Sequence, residues 1–130
     1  MILSGKEFKK RQLGVAVVGS GRMGSHRARL ASLHPAVNYL VVGDINEDQA
    51  KKLAEISKAN GYSTDNMELI NDPRVDVVIV STPEDEHRES VEAAIIAGKS
   101  VLVEKPLALT IIDGDRLSKL AEEKGVDLRI

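Results

Sequence analysis

Gly19-Ser20-Gly21-Arg22-Met23-Gly24 separates two stretches of opposite character. Before it, Val15-Ala16-Val17-Val18 is a short, unbroken, largely β-branched run. Such a run suits a strand buried on both faces, as in a parallel sheet. Past Gly21, Met23, Ala28, Leu30, Ala31 and Leu33 are among the apolar residues of a helical stretch that His34-Pro35 closes. A strand that turns into a helix through three glycines at this spacing has few folds open to it.

The same alternation continues along the chain. Tyr39 to Val42 reads as a second strand, ending at Gly43-Asp44. Asn46 with Gln49 three residues on opens a helix that carries Ala50, Leu53 and Ala54 and stops at Asn60-Gly61. Tyr62 to Thr64 reads as a very short strand, Met67 to Ile70 as one helical turn, and Asn71-Asp72-Pro73 as a turn. Val75 to Val80 is the next strand. Glu84 to Ala97 is a helix stopped by Gly98, and Ser100 to Val103 is another strand. Thr110 and Asp113 cap a last helix bearing Leu117, Leu120 and Ala121, with Gly125 past its end and Val126 to Ile130 as a final strand. Strand and helix alternate with short joins and no repeat. The expectation is an α/β fold: a Rossmann-type doubly wound parallel sheet of about six strands, with helices on both faces, in one three-layer domain. Residues 1–12 read as a polar lead-in and 13–130 as the domain.

In this context the glycines match G-x-G-x-x-G, and their expected work is physical. Gly19 allows the tight turn, Gly21 lets a pyrophosphate approach the backbone, and Gly24 permits close helix–strand contact. The helix N-terminus supplies N–H groups and a favourable dipole for the anion, so Ser20, Arg22 and Met23 join the candidate cofactor-binding residues. A glycine turn without a ligand can have the same letters; the strand before and the helix after favour the anion site. Asp44 ends the second strand about twenty residues past the last glycine, where an acid accepts from adenosine ribose hydroxyls. A carboxylate there repels a 2′-phosphate, which favours NAD, with NADP as the second choice. Arg22 could reach a 2′-phosphate or the pyrophosphate. Two further segments, Val80-Ser81-Thr82-Pro83 and Val103-Glu104-Lys105-Pro106, end strands on the edge where such sheets bind ligands. Taken alone, Lys105 would be a solvated lysine that Glu104 neutralises, and His87 an exposed helix residue or cap.

The chain resembles the cofactor-binding domain of the glucose–fructose oxidoreductase / inositol dehydrogenase / MocA (Gfo/Idh/MocA) family. The resemblance lies in VVGSGRMG, Asp44, DPRVDVVIVSTPEDEH, AGKSVLVEKPLALT and AEEKGVDLRI, and covers essentially all of Leu13 to Ile130. The Glu-Lys-Pro element with the upstream Thr-Pro-x-x-x-His is far more specific than the glycines. The resemblance implies an NAD(P)-dependent oxidoreductase acting on a sugar, inositol or other hydroxyl compound. It matches Ser81, Thr82, Pro83 and His87 to the stretch lining the nicotinamide side, and Glu104 and Lys105 to the element beside the nicotinamide. Lys105 is then the catalytic residue that bonds the reacting oxygen, aimed by a turn at Pro106 for which a cis Lys105–Pro106 bond is plausible. The family commonly has a histidine three residues after the last glycine; here His26 follows after two. Biliverdin reductases share the opening GVxVVGxGRxGS but typically carry tyrosine at the position of Lys105, so the lysine favours the sugar-type dehydrogenases.

Composition removes several alternatives. With no cysteine, disulfides, zinc–cysteine sites, iron–sulfur clusters and thiol catalysis are excluded, and no metal site is expected. A net charge of -2 and an aromatic content of 2% offer nothing for nucleic acid. No apolar run reaches the roughly 20 residues of a spanning helix, so no membrane partner is expected and a cytoplasmic setting is the default. Family members carry a second, substrate-binding domain, which this sequence does not contain. The expectations are an isolated domain, a truncated product or a stand-alone cofactor-binding protein that binds dinucleotide with little turnover. The small-molecule substrate belongs to the complete enzyme, and an uncovered apolar patch could drive homo-oligomer formation. The competing class is a non-catalytic NAD-sensing module, which has no need of Glu104-Lys105-Pro106.

Overall fold

The computed structural model describes residues 12–130, so nearly all of the expected lead-in lies outside the described residues. Among the described residues six strands alternate with five α-helices: β1 (Leu13–Val18), α1 (Arg22–Leu33), β2 (Val37–Gly43), α2 (Glu47–Ser57), β3 (Gly61–Ser63), α3 (Asn66–Ile70), β4 (Val77–Val80), α4 (His87–Ile96), β5 (Ser100–Val103), α5 (Ile111–Lys124) and β6 (Leu128–Arg129). Every strand pair is parallel, in the order β3-β2-β1-β4-β5-β6. The chain winds outward from β1 to β3, returns to β4 beside β1, and winds outward again. The gap between the ends of β1 and β4 is thus the point where strand order reverses, and ligands of open α/β sheets bind there.

Strand alternation divides the core into two layers. Ala16, Val18, Val41, Val78, Val80, Val101 and Val103 pack with Leu69 and Ile70 of α3, Val91, Ala94 and Ile95 of α4, and Leu117 and Ala121 of α5. Val15, Val17, Leu40, Val42 and Ile79 pack with Ala28 and Ala31 of α1 and Leu53 and Ala54 of α2. Both faces of the sheet are covered, which is why its strands read as apolar runs without a polar face. None of the helices among the described residues is long and apolar enough to cross a membrane.

Local boundaries differ from expectation in several places, among them the last strand, which spans only Leu128–Arg129 of the expected Val126 to Ile130. Helix α2 ends at Ser57, because Lys58 adopts the left-handed conformation (φ 54) and Ala59 N closes on Ala54 O at 2.9 Å. Asn60 does not stop that helix; its Oδ1 accepts from Leu40 N at 2.9 Å, and Gly61 begins β3. The expected Glu84–Ala97 helix is divided, with a 3₁₀ turn at Glu84–Glu86 before α4. Val75 lies in a turn bonded to Asp72 O, and the β4 ladder starts at Val77.

A polar cluster fastens the opposite edge of the sheet. Tyr39 of β2 donates to Asp72 Oδ2 at 2.7 Å. Arg74 donates to both Asp72 oxygens at 3.0 Å and lies 4.5 Å over the Tyr39 ring. Bonding to Arg74 holds the Asp72 carboxyl well below the usual carboxylate range against the opposing effect of burial. A carboxylate depressed in the folded state contributes stability above its unfolded pKa, about 3.9, and loses it as pH falls further. Asp72→Asn is therefore expected to lower the melting midpoint at pH 7 and to lose less stability than the parent below about pH 4. Melting curves across that range check it, and parallel losses in both proteins would contradict it.

Candidate functional site

The register of the sheet builds the site. Val18 pairs with Gly43 and with Val80, and Val80 pairs with Val103. The next residue on each strand, Gly19, Asp44, Ser81 and Glu104, therefore leaves the sheet at one level. Backbone bonds extend the row: Gly19 N to Gly43 O at 2.8 Å, Ser81 N to Val18 O at 2.8 Å and Glu104 N to Val80 O at 3.1 Å. Four loops are thereby delivered to one edge of the molecule.

The glycine turn is sterically compelled. Gly19 has φ +98, in the left-handed region that favours glycine. A Cβ on Gly24 would lie 1.8 Å from Gly19 O, so α1 presses onto the turn that starts it. Gly21 differs: a Cβ there meets nothing within 4 Å and would project into open space. Gly21 is also the N-cap of α1, with no side chain capping the helix and no acid in its first turn. The caps of α2, α3 and α5 are side chains: Asn46, Asp65 and Thr110. The first-turn N–H groups of α1 are thus left for a group outside the protein.

A cleft of about 460 Å³ opens here, lined by Gly19, Ser20, Gly21, Arg22, Met23, Asp44, Ser81, Thr82 and Pro83 among the expected residues. Ile45, Gln49, Asn66 and Glu86 complete the lining. Ser81 Oγ, Thr82 Oγ1 and Asn66 Oδ1 are buried without a hydrogen-bond partner in the protein. Orphaned buried oxygens carry a desolvation cost that a bound partner offsets. Asp44 Oδ2 accepts from Ser20 N at 3.0 Å and Ser20 Oγ at 2.5 Å, and Oδ1 accepts from Asn46 N at 2.9 Å. Burial works to raise the Asp44 pKa, but the bonds from Ser20 Oγ, Asn46 N and Ser20 N outweigh it and hold it below the ordinary value. Uncapped N–H groups, an open approach at Gly21, orphaned hydroxyls and a charged acid at the end of β2 together fit a dinucleotide.

Four expected residues, Gly24, His87, Glu104 and Lys105, are placed outside the cleft lining. Gly24 is buried beneath the turn. His87 is neither exposed nor in the lining: it is 1% exposed, with its ring nitrogens 2.7 Å from Thr82 O and 2.8 Å from Pro106 O. Each ring nitrogen faces a backbone carbonyl oxygen, so His87 sits between the strap after β4 and the strap after β5. Glu104 is not paired with Lys105; it accepts from Arg27 Nε of α1 at 2.8 Å. Lys105 is exposed and precedes a cis bond to Pro106; none of the ion pairs among the described residues engages its ammonium. Arg27, Asn66 and Gln49 escaped the sequence reading. Arg27 had a signal, since it stands three residues after Gly24, where the resembled family commonly has histidine. Asn66 had none, because only the docking of α3 brings it to the cleft.

Comparison with known proteins agrees with this geometry. The Gfo/Idh/MocA family model, described as an oxidoreductase family with an NAD-binding Rossmann fold, matches residues 13–130. The scyllo-inositol 2-dehydrogenase (NAD(+)) of Bacillus subtilis is 34% identical over 116 residues, covering 88% of this chain and 34% of that protein. The crystal structure of GenD2 from gentamicin A biosynthesis, in complex with NAD, superposes with a TM-score of 0.87 at 36% identity, over 99% of this chain and 36% of that one. Biliverdin reductase from Synechocystis sp. PCC 6803, with biliverdin and NADP+, gives 0.84 at 35% identity, over 90% of this chain and 37% of that one. The chain spans about a third of the length of the relatives it matches.

The two glycines of the turn separate fold from ligand. Gly24→Ala is expected to cost at least about 2 kcal/mol, because backbone must move. That lowers the melting midpoint by roughly 5 °C or more in a domain of this size. Gly21→Ala is expected to melt within about 2 °C of the parent, its Cβ meeting no protein atom. Thermal denaturation of both variants checks this; equal losses would contradict it.

Proposed function

The chain belongs to the Gfo/Idh/MocA oxidoreductase family as its NAD-binding Rossmann domain, and from that premise we propose the cofactor half of a dehydrogenase acting on a hydroxyl group of a sugar- or inositol-like compound. The observation that carries this reading is the level row of strand ends, which joins the glycine turn, Asp44, the Ser81–Pro83 strap and Glu104-Lys105 on one edge. A nicotinamide cofactor supplies the hydride chemistry when bound. The chain's own residues bind and orient. The α1 N-terminus and Gly21 hold the pyrophosphate, and Asp44 accepts from the adenosine ribose. Ser81 and Thr82 offer their hydroxyls toward the nicotinamide end.

Lys105 is the proposed catalytic residue. Its ammonium can donate to the substrate oxygen and stabilise alkoxide charge that develops there. The Arg27–Glu104 pair supports this role, because the carboxylate beside Lys105 has another cation to satisfy it. His87 acts as a positioning residue through Thr82 and Pro106. The charge on Asp44, kept by its three bonds, disfavours a 2′-phosphate, so NAD is preferred to NADP. This chain alone is expected to bind dinucleotide with little turnover.

Calorimetric titration with NADH and NADPH tests the reading. NADH is expected to bind more tightly, and Asp44→Ala to weaken NADH by about tenfold or more while narrowing the difference between the two. Equal affinity for both cofactors, unchanged in the variant, would remove the ribose role of Asp44. No binding of either would remove the site.

A further inference from the structure

Asp44 has more donors converging on it than its oxygens can serve once a ribose arrives. Oδ2 accepts from Ser20 N and Ser20 Oγ, and Oδ1 accepts from Asn46 N. An ionised carboxylate offers about four acceptor positions. Three are filled by the protein, and the vicinal diol of an adenosine ribose brings two O–H donors. One protein donor must leave.

The three differ in their freedom to do so. Asn46 N is fixed by its place as N-cap of α2, where Asn46 Oδ1 also accepts from Gln49 N at 3.1 Å. Ser20 N is fixed by the turn, whose register the Gly19 N–Gly43 O bond sets. The Ser20 hydroxyl turns on a single side-chain torsion. A second acceptor is already in range, Gln49 Oε1 at 3.4 Å, and Gln49 lines the same cleft.

We propose that the Ser20 hydroxyl is a stand-in for a ribose hydroxyl: it fills one acceptor position of Asp44 in the free chain and turns to Gln49 when a ribose diol engages the carboxylate. Ser20 thereby sets the affinity of the ribose end. The inference rests on the reading of Asp44 as the ribose acceptor. It makes a prediction of sign. If Ser20 merely orients Asp44, removing its hydroxyl weakens nucleotide binding; if it is a stand-in, removing it strengthens binding, because the Ser20 N bond still holds the carboxylate.

The test is calorimetric titration of the 130-residue chain with ADP and 2′-deoxy-ADP. Ser20→Ala is expected to bind ADP about three- to tenfold more tightly than the parent, the size of one exchanged bond to a charged group. The 2′-deoxy nucleotide has one ribose hydroxyl, which the open position accommodates, so the variant and parent are expected to bind it within about twofold of each other. Gln49→Ala removes the landing place from an exposed helix face and is expected to weaken ADP but not 2′-deoxy-ADP, so a poorly folding Ser20 variant does not end the test. Unchanged or weaker ADP binding by Ser20→Ala would overturn the proposal. So would an equal gain for both nucleotides, since the gain would then not come from the diol. A parent chain that binds neither ADP nor NADH overturns the site reading itself, and this inference with it.

Discussion

Helix α1 starts where it does because Gly24 has no side chain. Its Cα rests against the carbonyl of Gly19, leaving no room for a Cβ. That contact fixes the angle at which the helix leaves β1, and so the direction of its free N–H groups. Gly19 in turn holds its left-handed backbone while its N–H bonds to Gly43 O, which ties the turn to the end of β2 and to Asp44 beyond it. The anion end and the ribose acid are thereby positioned by backbone contacts rather than by flexible side chains. Sites supported in this way lose little entropy when a ligand arrives.

The second half of the edge is fastened differently. The straps after β4 and β5 leave the sheet in register, but no helix begins at once in either. A side chain joins them instead: the buried imidazole of His87, set between two carbonyl oxygens. Arg27 reaches from α1 to Glu104 and links the glycine-turn helix to the same strap. The two halves of the doubly wound sheet are therefore connected across the reversal point by Arg27 as well as by the β1–β4 ladder. Positioning in this region depends on polar side chains, and single substitutions there are expected to move Lys105 without unfolding the sheet.

Legibility from sequence followed the same division. Features set by backbone and periodicity could be read directly. The β-branched runs marked the strands, and the glycine spacing marked the strand–turn–helix unit. The distance from Gly24 to Asp44 is the rest of α1, a three-residue join and β2. Features set by tertiary packing could not be read. Taken alone, His87 looked like an exposed helix residue or a cap, because nothing local states that Pro106 returns to cover it. Taken alone, Glu104 could neutralise its neighbour Lys105, yet the cation that bonds it is Arg27, 77 residues away in sequence. Helix α2 ended at Ser57, short of the Asn60-Gly61 stop signal, because Lys58 takes the left-handed cap itself. Asn60 was free to bond Leu40 instead.

The central claim is that one edge of the sheet, and not the other, receives a dinucleotide through the α1 N-terminus. Amide chemical-shift mapping of the ¹⁵N-labelled chain during addition of NADH tests it most directly. The account predicts that the largest changes fall on Gly19 to Met23, Asp44, Ser81 and Thr82, while Tyr39, Asp72 and Arg74 at the opposite edge stay still. Changes centred on that opposite edge, or none in the glycine turn at saturating NADH, would contradict it.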